Sequence, residues 1–218
     1  MLRSSWRLIS VTMHIPRLFL AICAISFFWM IGSILIIVFP PLVKNVFTAS
    51  KEVASLFLAI FSIGVAVGSV LINRLLQGKV SAKFGPLSVM LMAGFILYLN
   101  FVAHGWTATP DGRLYDVWTF IAHPGAWQVV VALLGIAISG GMFVVPLYAF
   151  LTTTVSKSET ARTVAANNVV NSGAMTIGAV AILAATGAGL SITGALLLVA
   201  AMCVLSALLA WKLNRACD

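Results

Sequence analysis

The one concentrated group of polar side chains inside a long apolar stretch is Asn167, Asn168 and Asn171. Asn167 and Asn171 stand four residues apart, so on a helix they share a face, roughly continued by Ala174 and Gly178. An amide in hydrocarbon needs a partner. The stripe therefore implies hydrogen bonds between helices, an aqueous helix start, or a wall that meets a polar ligand and helps a gate. Covalent chemistry has less to work with. The histidines are His14, His104 and His123, outside or at the edges of the apolar stretches. Phe19, Thr109 and Gln128 stand five residues after them, so no His–Asp pair has acyl-transfer spacing. No pair of Asp residues and no Ser–His pair lies inside an apolar stretch. Cys23, Cys203 and Cys217 are widely spaced with no CxxC pair, so neither a disulfide framework nor a metal site follows. The expectation is no catalytic residue, no metal and no cofactor. A proton relay through a buried Asp or Glu lacks its usual residue.

The elements that must hold such a stripe follow from composition. Of 218 residues, 61% are hydrophobic and 8% charged, against roughly 25% charged in a soluble domain. Lipid is therefore the solvent on most sides. Crossing its hydrocarbon core takes about 20 apolar residues in a helix. Stretches near 18–39, 53–73, 85–104, 126–151, 164–186 and 190–211 qualify, and none contains Lys, Arg, Asp or Glu. They are too long for barrel strands and do not alternate. The first is longer than a signal-peptide core and reads as a retained span. The predicted fold is an all-α integral membrane bundle of six helices, with a basic lead at 1–17 and a tail at 212–218.

Charge sets an orientation. Ten Lys and Arg residues fall on the side of the two termini and of the loops at 74–84 and 152–163. Three (Lys44, Lys51 and Arg113) fall on the other. Both termini are expected to be cytoplasmic. The net charge of +8 is mostly this signal plus attraction to anionic lipid. Basic residues scattered over short loops make no nucleic-acid footprint. Trp6, Trp106, Trp118, Trp127 and Trp211 lie at or just beyond span ends, where amphipathic rings settle. Trp29 instead lies mid-span beside Phe27 and Phe28, either as packed bulk or as the wall of a cavity. The longest connection, 105–125, holds Pro110, Asp111, Gly112, Pro124 and Gly125 and reads as a plain solvated linker.

Small residues mark packing surfaces. Gly64 and Gly68 form a GxxxG on the second span, and Gly135, Ser139, Gly140 and Gly141 give the fourth a small-residue surface. Ser62-Ile63-Gly64 in the second span resembles Thr176-Ile177-Gly178 in the fifth. That fits a three-plus-three inverted repeat.

Six spans with both ends on one side, and a basic loop after the second, resemble one half of a major facilitator superfamily transporter. The loop from Gly68 through Asn73, Arg74, Gly78 and Lys79 resembles that superfamily's GxxxDRxGRR gating loop. Asn73 stands where the pattern has Asp, and extra residues precede Gly78. The chain is more closely similar to the carboxy-terminal half of the lysophospholipid transporter family, including forms fused to a 2-acylglycerophosphoethanolamine acyltransferase. Four stretches, in order, carry this likeness: Ala24–Trp29, Leu58–Ser69, Gln77–Val80 and Arg162–Asn171.

The resemblance implies that the first and fourth spans line a central cavity, while the second and fifth meet the other half. Ser26 and Trp29 would then face the cavity, with Ser139 a further candidate, and Asn167, Asn168 and Asn171 would bind substrate or lie at its edge. The Gly64/Gly68 face would meet the missing half or the cavity edge; Gly135 and Gly178 would pack helices. The implied function is movement of a lysophospholipid or other amphiphile by alternating access in a bacterial inner membrane, without enzymatic activity. The second cavity wall would come from a separate six-helix half, from a homodimer, or from a longer chain of which this is a fragment. Two other readings stand beside it: a half for another small solute, and a non-transporting scaffold or remnant.

Overall fold

A computed structural model of the protein describes residues 16–108 and 112–217. The basic lead (with Arg3, Trp6 and Arg7) and the turn residues Pro110 and Asp111 lie outside the described residues. Among the described residues seven α-helices follow in order: α1 Pro16–Pro41, α2 Lys51–Leu75, α3 Gly85–His104, α4 Val117–Ala122, α5 Ala126–Thr153, α6 Lys157–Gly187 and α7 Ile192–Cys217. All but α4 are long and apolar enough to cross a membrane, six in total. No strand forms among the described residues; Ala49 and Tyr115 make one isolated bridge.

Local chemistry sets the helix ends. Pro40 and Pro41 remove two backbone donors at the end of α1, and the chain widens into a π turn over Leu42–Val46. Ser50 is the N-cap of α2, and Glu52 sits in its first turn, where the helix dipole favours an acid. Ser156 and Glu159 occupy N-cap and N3 of α6, and the Ser156 hydroxyl donates to the Glu159 carboxylate at 3.3 Å. That start extends α6 well ahead of its apolar run, to Lys157 rather than 164. α2 stops in a tight reversal: Gly78 N–H donates to Asn73 C=O at 3.2 Å, and Gly78 takes φ +74°. Glycine carries that conformation without the Cβ clash other residues meet.

The helices pack in the lateral order α2, α5, α3, α7, α1, α6, with each adjacent pair in extensive contact. α1 and α5 also touch across the centre. Exchanging α1-α2-α3 for α5-α6-α7 maps this order onto itself: α2·α5 becomes α6·α1, α3·α5 becomes α7·α1, and α3·α7 is kept. Each repeat has an odd number of spans, so the second runs through the membrane opposite to the first. This is the inverted three-plus-three arrangement. The short Ser/Thr-Ile-Gly likeness falls on equivalent positions. Ser62 and Thr176 both donate to the carbonyl four residues back, at 2.9 and 2.8 Å. Gly64 faces α5, and Gly178 faces α1.

Central α1 and α5 carry most of the core, including Ile22, Ile25, Ile31, Leu133, Ile136 and Phe143. Rim helices α2 and α6 bury only one stripe each. At the end opposite Pro16 and Cys217, Asn100 Nδ2 donates to Thr193 C=O at 2.7 Å and ties α3 to α7.

Two expectations are corrected. The Gly64/Gly68 face does not meet a missing half or a cavity edge; it is buried against α5 of the same chain. A Cβ on Gly64 would stand 2.5 Å from that of Ala137, and one on Gly68 would run into the Ile138 backbone. GxxxG specifies close approach but does not say which helix approaches. Nor is the 105–125 connection a plain solvated linker. It holds α4, capped by Asp116 through Thr119 N–H at 2.8 Å, and Phe120 is fully buried. Trp106 stacks on His123 at 3.9 Å and on Phe120 at 5.2 Å between ring centres. Phe47 and Phe57 close the same group. Ser50 N–H donates to Tyr115 C=O at 2.9 Å, and Tyr115 N–H to Thr48 C=O at 2.8 Å, which pins the two loops together.

Candidate functional site

A hydrogen-bonded cluster forms where α1, α5 and α6 converge. Ser26 and Trp29 stand three residues apart on α1 and face the same way. The Ser26 hydroxyl donates to Asn171 Oδ1 at 2.7 Å. Asn171 Nδ2 donates to the Tyr148 phenol oxygen at 3.1 Å. Trp29 Nε1 donates to the same oxygen at 2.9 Å. Asn167 Nδ2 approaches it at 3.5 Å, while Asn167 Oδ1 is buried with no partner. Ser26, Asn167 and Asn171 are buried, Tyr148 is half-buried, and Trp29 is 39% exposed. The cluster therefore lies at the edge of a face that this chain leaves open.

Four of the six residues expected to bind substrate are brought together here: Ser26, Trp29, Asn167 and Asn171. Asn168 is exposed and points out of the bundle, its amide meeting no partner among the described residues. Ser139 is buried in α5. It lies nine residues before Tyr148, about 14 Å along the helix, and outside the cluster. Tyr148 is the member that the sequence reading missed. A lone tyrosine near a span end resembles an interface aromatic. The usable signal was indirect: two donors on α1 and amides on α6 require an acceptor from a third helix.

The interiors of α1, α5 and α6 between 18–39, 126–151 and 164–186 hold no Lys, Arg, Asp or Glu. The cluster is built of hydroxyl, phenol, amide and indole groups, and can bind and orient an uncharged polar group. Lower along the same α1–α6 pair, the Ser33 hydroxyl donates to the Met30 carbonyl of its own helix at 2.8 Å and lies 3.4 Å from the Met175 carbonyl. Gly178 lies under Met30 and Ile34. Gly135 lies beneath the Phe95 ring, which packs α3 on α5.

The remaining candidates are placed as follows. Asn73, Arg74, Gly78 and Lys79 are all exposed at the end holding Pro16 and Cys217. Asn73 shapes the loop through its backbone carbonyl, as described above. At the opposite end a cavity of about 600 Å³ opens between α1, α6 and α7, lined by Val38, Asn45, Ile182, Thr186, Ser191 and Thr193. Nearby, burial holds the His123 imidazole below the ordinary histidine pKa. Among the described residues no group of three His, Cys, Asp or Glu gathers as a metal site would need.

The family model described as Major Facilitator Superfamily matches residues 18–216, nearly the whole chain. No curated protein and no solved structure matches it.

Proposed function

The chain belongs to the major facilitator superfamily, and on that premise we propose that it forms one half of a transporter for an amphiphilic lipid of the lysophospholipid class. Being a membrane protein of a transporter family follows from the match and from the six spans. The substrate class, the partner and the membrane are this proposal's own content.

One observation carries it: the polar cluster of α1, α5 and α6 lies at the edge of a face this chain does not cover. Trp29 is 39% exposed there. Asn168, Ser172 and Thr176, each four residues apart, run along the outer side of α6 and are all exposed. An unpartnered amide facing hydrocarbon is costly. A second set of helices, with a wet cavity between, relieves that cost. α2 also presents an uncovered ridge, with Ile63 60% and Val70 57% exposed. Rim helices open on this side leave room for a second six-helix half or a second copy. Alternating access would rock the two around a site near Trp29 and Tyr148.

The apolar lining and the absence of charge suit a substrate with an acyl chain and an uncharged polar segment near the cluster. Lys and Arg concentrated at the Pro16 and Cys217 end support a cytoplasmic location for that end, in a bacterial inner membrane. The test has two stages. A photo-crosslinker at Asn168 in native membranes should capture a six-helix partner or a second copy. Vesicles holding the chain with that partner should then move a fluorescent lysophospholipid between leaflets. Folded protein that moves no lysophospholipid removes the substrate class.

A further inference from the structure

Resting on the reading that the chain handles an amphiphile, we propose that the Tyr148 cluster recognises an uncharged hydroxyl on the substrate, and that the Trp29 indole N–H holds the place of that hydroxyl until it arrives.

Donors and acceptors around Tyr148 do not balance. A phenol oxygen has two lone pairs and one proton. As placed, Asn171 Oδ1 accepts from Ser26 at 2.7 Å and its Nδ2 donates to Tyr148 at 3.1 Å. Because Ser26 and Tyr148 both carry hydroxyls, turning that amide over exchanges donor for acceptor at each and gives Asn167 no second partner. An indole nitrogen can only donate, and Trp29 does so at 2.9 Å. These two donors fill both lone pairs. The phenol proton and Asn167 remain. As placed, Asn167 brings a third N–H to a full oxygen at 3.5 Å and leaves Oδ1 buried without a partner. Rotated by half a turn, its oxygen would take the phenol proton, and its NH₂ would become the orphan. Either orientation leaves one polar atom unmatched on a side chain that is 0% exposed. Such an atom costs about 1–3 kcal/mol in a protein interior. The cluster is short of one group.

A hydroxyl is the group that fits, because it both donates and accepts and so answers either amide orientation. A phosphate or carboxylate only accepts and an ammonium only donates. An ester oxygen accepts but cannot donate. Access is available at Trp29, the most exposed member, whose indole bonds Tyr148 from the open side. When the indole swings away, an incoming hydroxyl can donate to the phenol oxygen in its stead and accept from the Asn167 NH₂, whose Oδ1, turned over, then takes the phenol proton. A monoacyl glycerolipid has a free hydroxyl at the carbon that a diacyl lipid esterifies. The cluster would sort the two on that difference.

The test is binding by the full chain in phosphatidylcholine nanodiscs. The probes are 1-oleoyl-2-hydroxy-glycerophosphoethanolamine and its 2-O-methyl analogue, which keeps the charge and the acceptor but loses the donor. The unaltered protein should prefer the hydroxyl lipid by about tenfold, the worth of one net hydrogen bond. Tyr148→Phe should bring that ratio to about one. Trp29→Phe keeps the aromatic bulk but removes the competing N–H, so it should tighten the hydroxyl lipid a few-fold, a direction that misfolding cannot mimic. A ratio near one in the unaltered protein overturns the hydroxyl recognition and leaves the amphiphile reading standing. Binding of neither probe, with helix content and melting intact, overturns both. Weaker binding in Trp29→Phe overturns the place-holder role.

Discussion

The helix pairs α2–α5 and α1–α6 are equivalents under the exchange of the two repeats, yet they are held together differently. Across α2–α5 the backbones approach through glycines on both sides. Gly64 and Gly68 face Ala137 and Ile138, and Gly141 faces the Val65 carbonyl. Across α1–α6 there is one such glycine, Gly178, under the flexible Met30 side chain. The hydrogen bond from Ser26 to Asn171 does the rest. One fold thus carries a backbone-on-backbone contact with no freedom to slide, and a side-chain contact whose partners can be exchanged. The exchangeable pair is the one that meets the candidate site. A binding site needs groups that can release one partner for another, whereas a scaffold does not.

Four substitutions test the contrast, from the largest effect to the smallest. Gly68→Ala should be the most damaging, because its Cβ meets the Ile138 backbone, which cannot rotate aside. A loss of about 3 kcal/mol is expected, at the high end for overpacking, measured by unfolding in mixed detergent. A fully stable Gly68→Ala would end the claim that α2–α5 is rigid. Asn171→Leu should cost about 1 kcal/mol, since it strips an acceptor from Ser26 and a donor from Tyr148. It should also lower crosslinking between cysteines placed in α1 and α6, as α6 loosens. Gly178→Ala sharpens the contrast further. Its Cβ would stand 2.5 Å from Met30 Cγ, but that chain can turn away. About 0.5 kcal/mol is expected, well below the Gly68 value. Asp116→Ala lies outside both pairs and should shift neither in the same assay. Its effect belongs to α4, where the Thr119 amide and hydroxyl hold the Asp116 carboxyl below its ordinary value of 3.8. The depressed value means that this cap is present above pH 3.8 and lost as pH falls through the lower, folded-state value. Amide exchange of Thr119 against pH reads it directly.

How much of this was legible beforehand depended on range. The spans were readable because apolar length is a local property and charge is excluded from every one. Ser26, Trp29 and the asparagines were readable as polar or amphipathic groups out of place in apolar surroundings. Tyr148 was not, because its role comes from neighbours 119 and 23 residues away. The aromatic cap was hidden for the same reason. Its rings come from separate segments around Phe47, Phe57, Trp106 and Phe120, which no periodicity links. The Gly64/Gly68 motif showed close packing but named no partner, and inferring one from family geometry put it on the wrong side of the helix.

The lateral order of the helices also governs how the molecule is made. Nearly all extensive contacts join one repeat to the other, while α1, α2 and α3 make little contact among themselves. During synthesis these three therefore enter the membrane with no lasting neighbour among themselves. α1 waits for α6 across more than half the chain, and α2 for α5 across about a quarter of it. Until then their glycine grooves and buried serines face lipid or an insertion chaperone. Assembly of the bundle is delayed until the second repeat emerges, and then it closes as one piece.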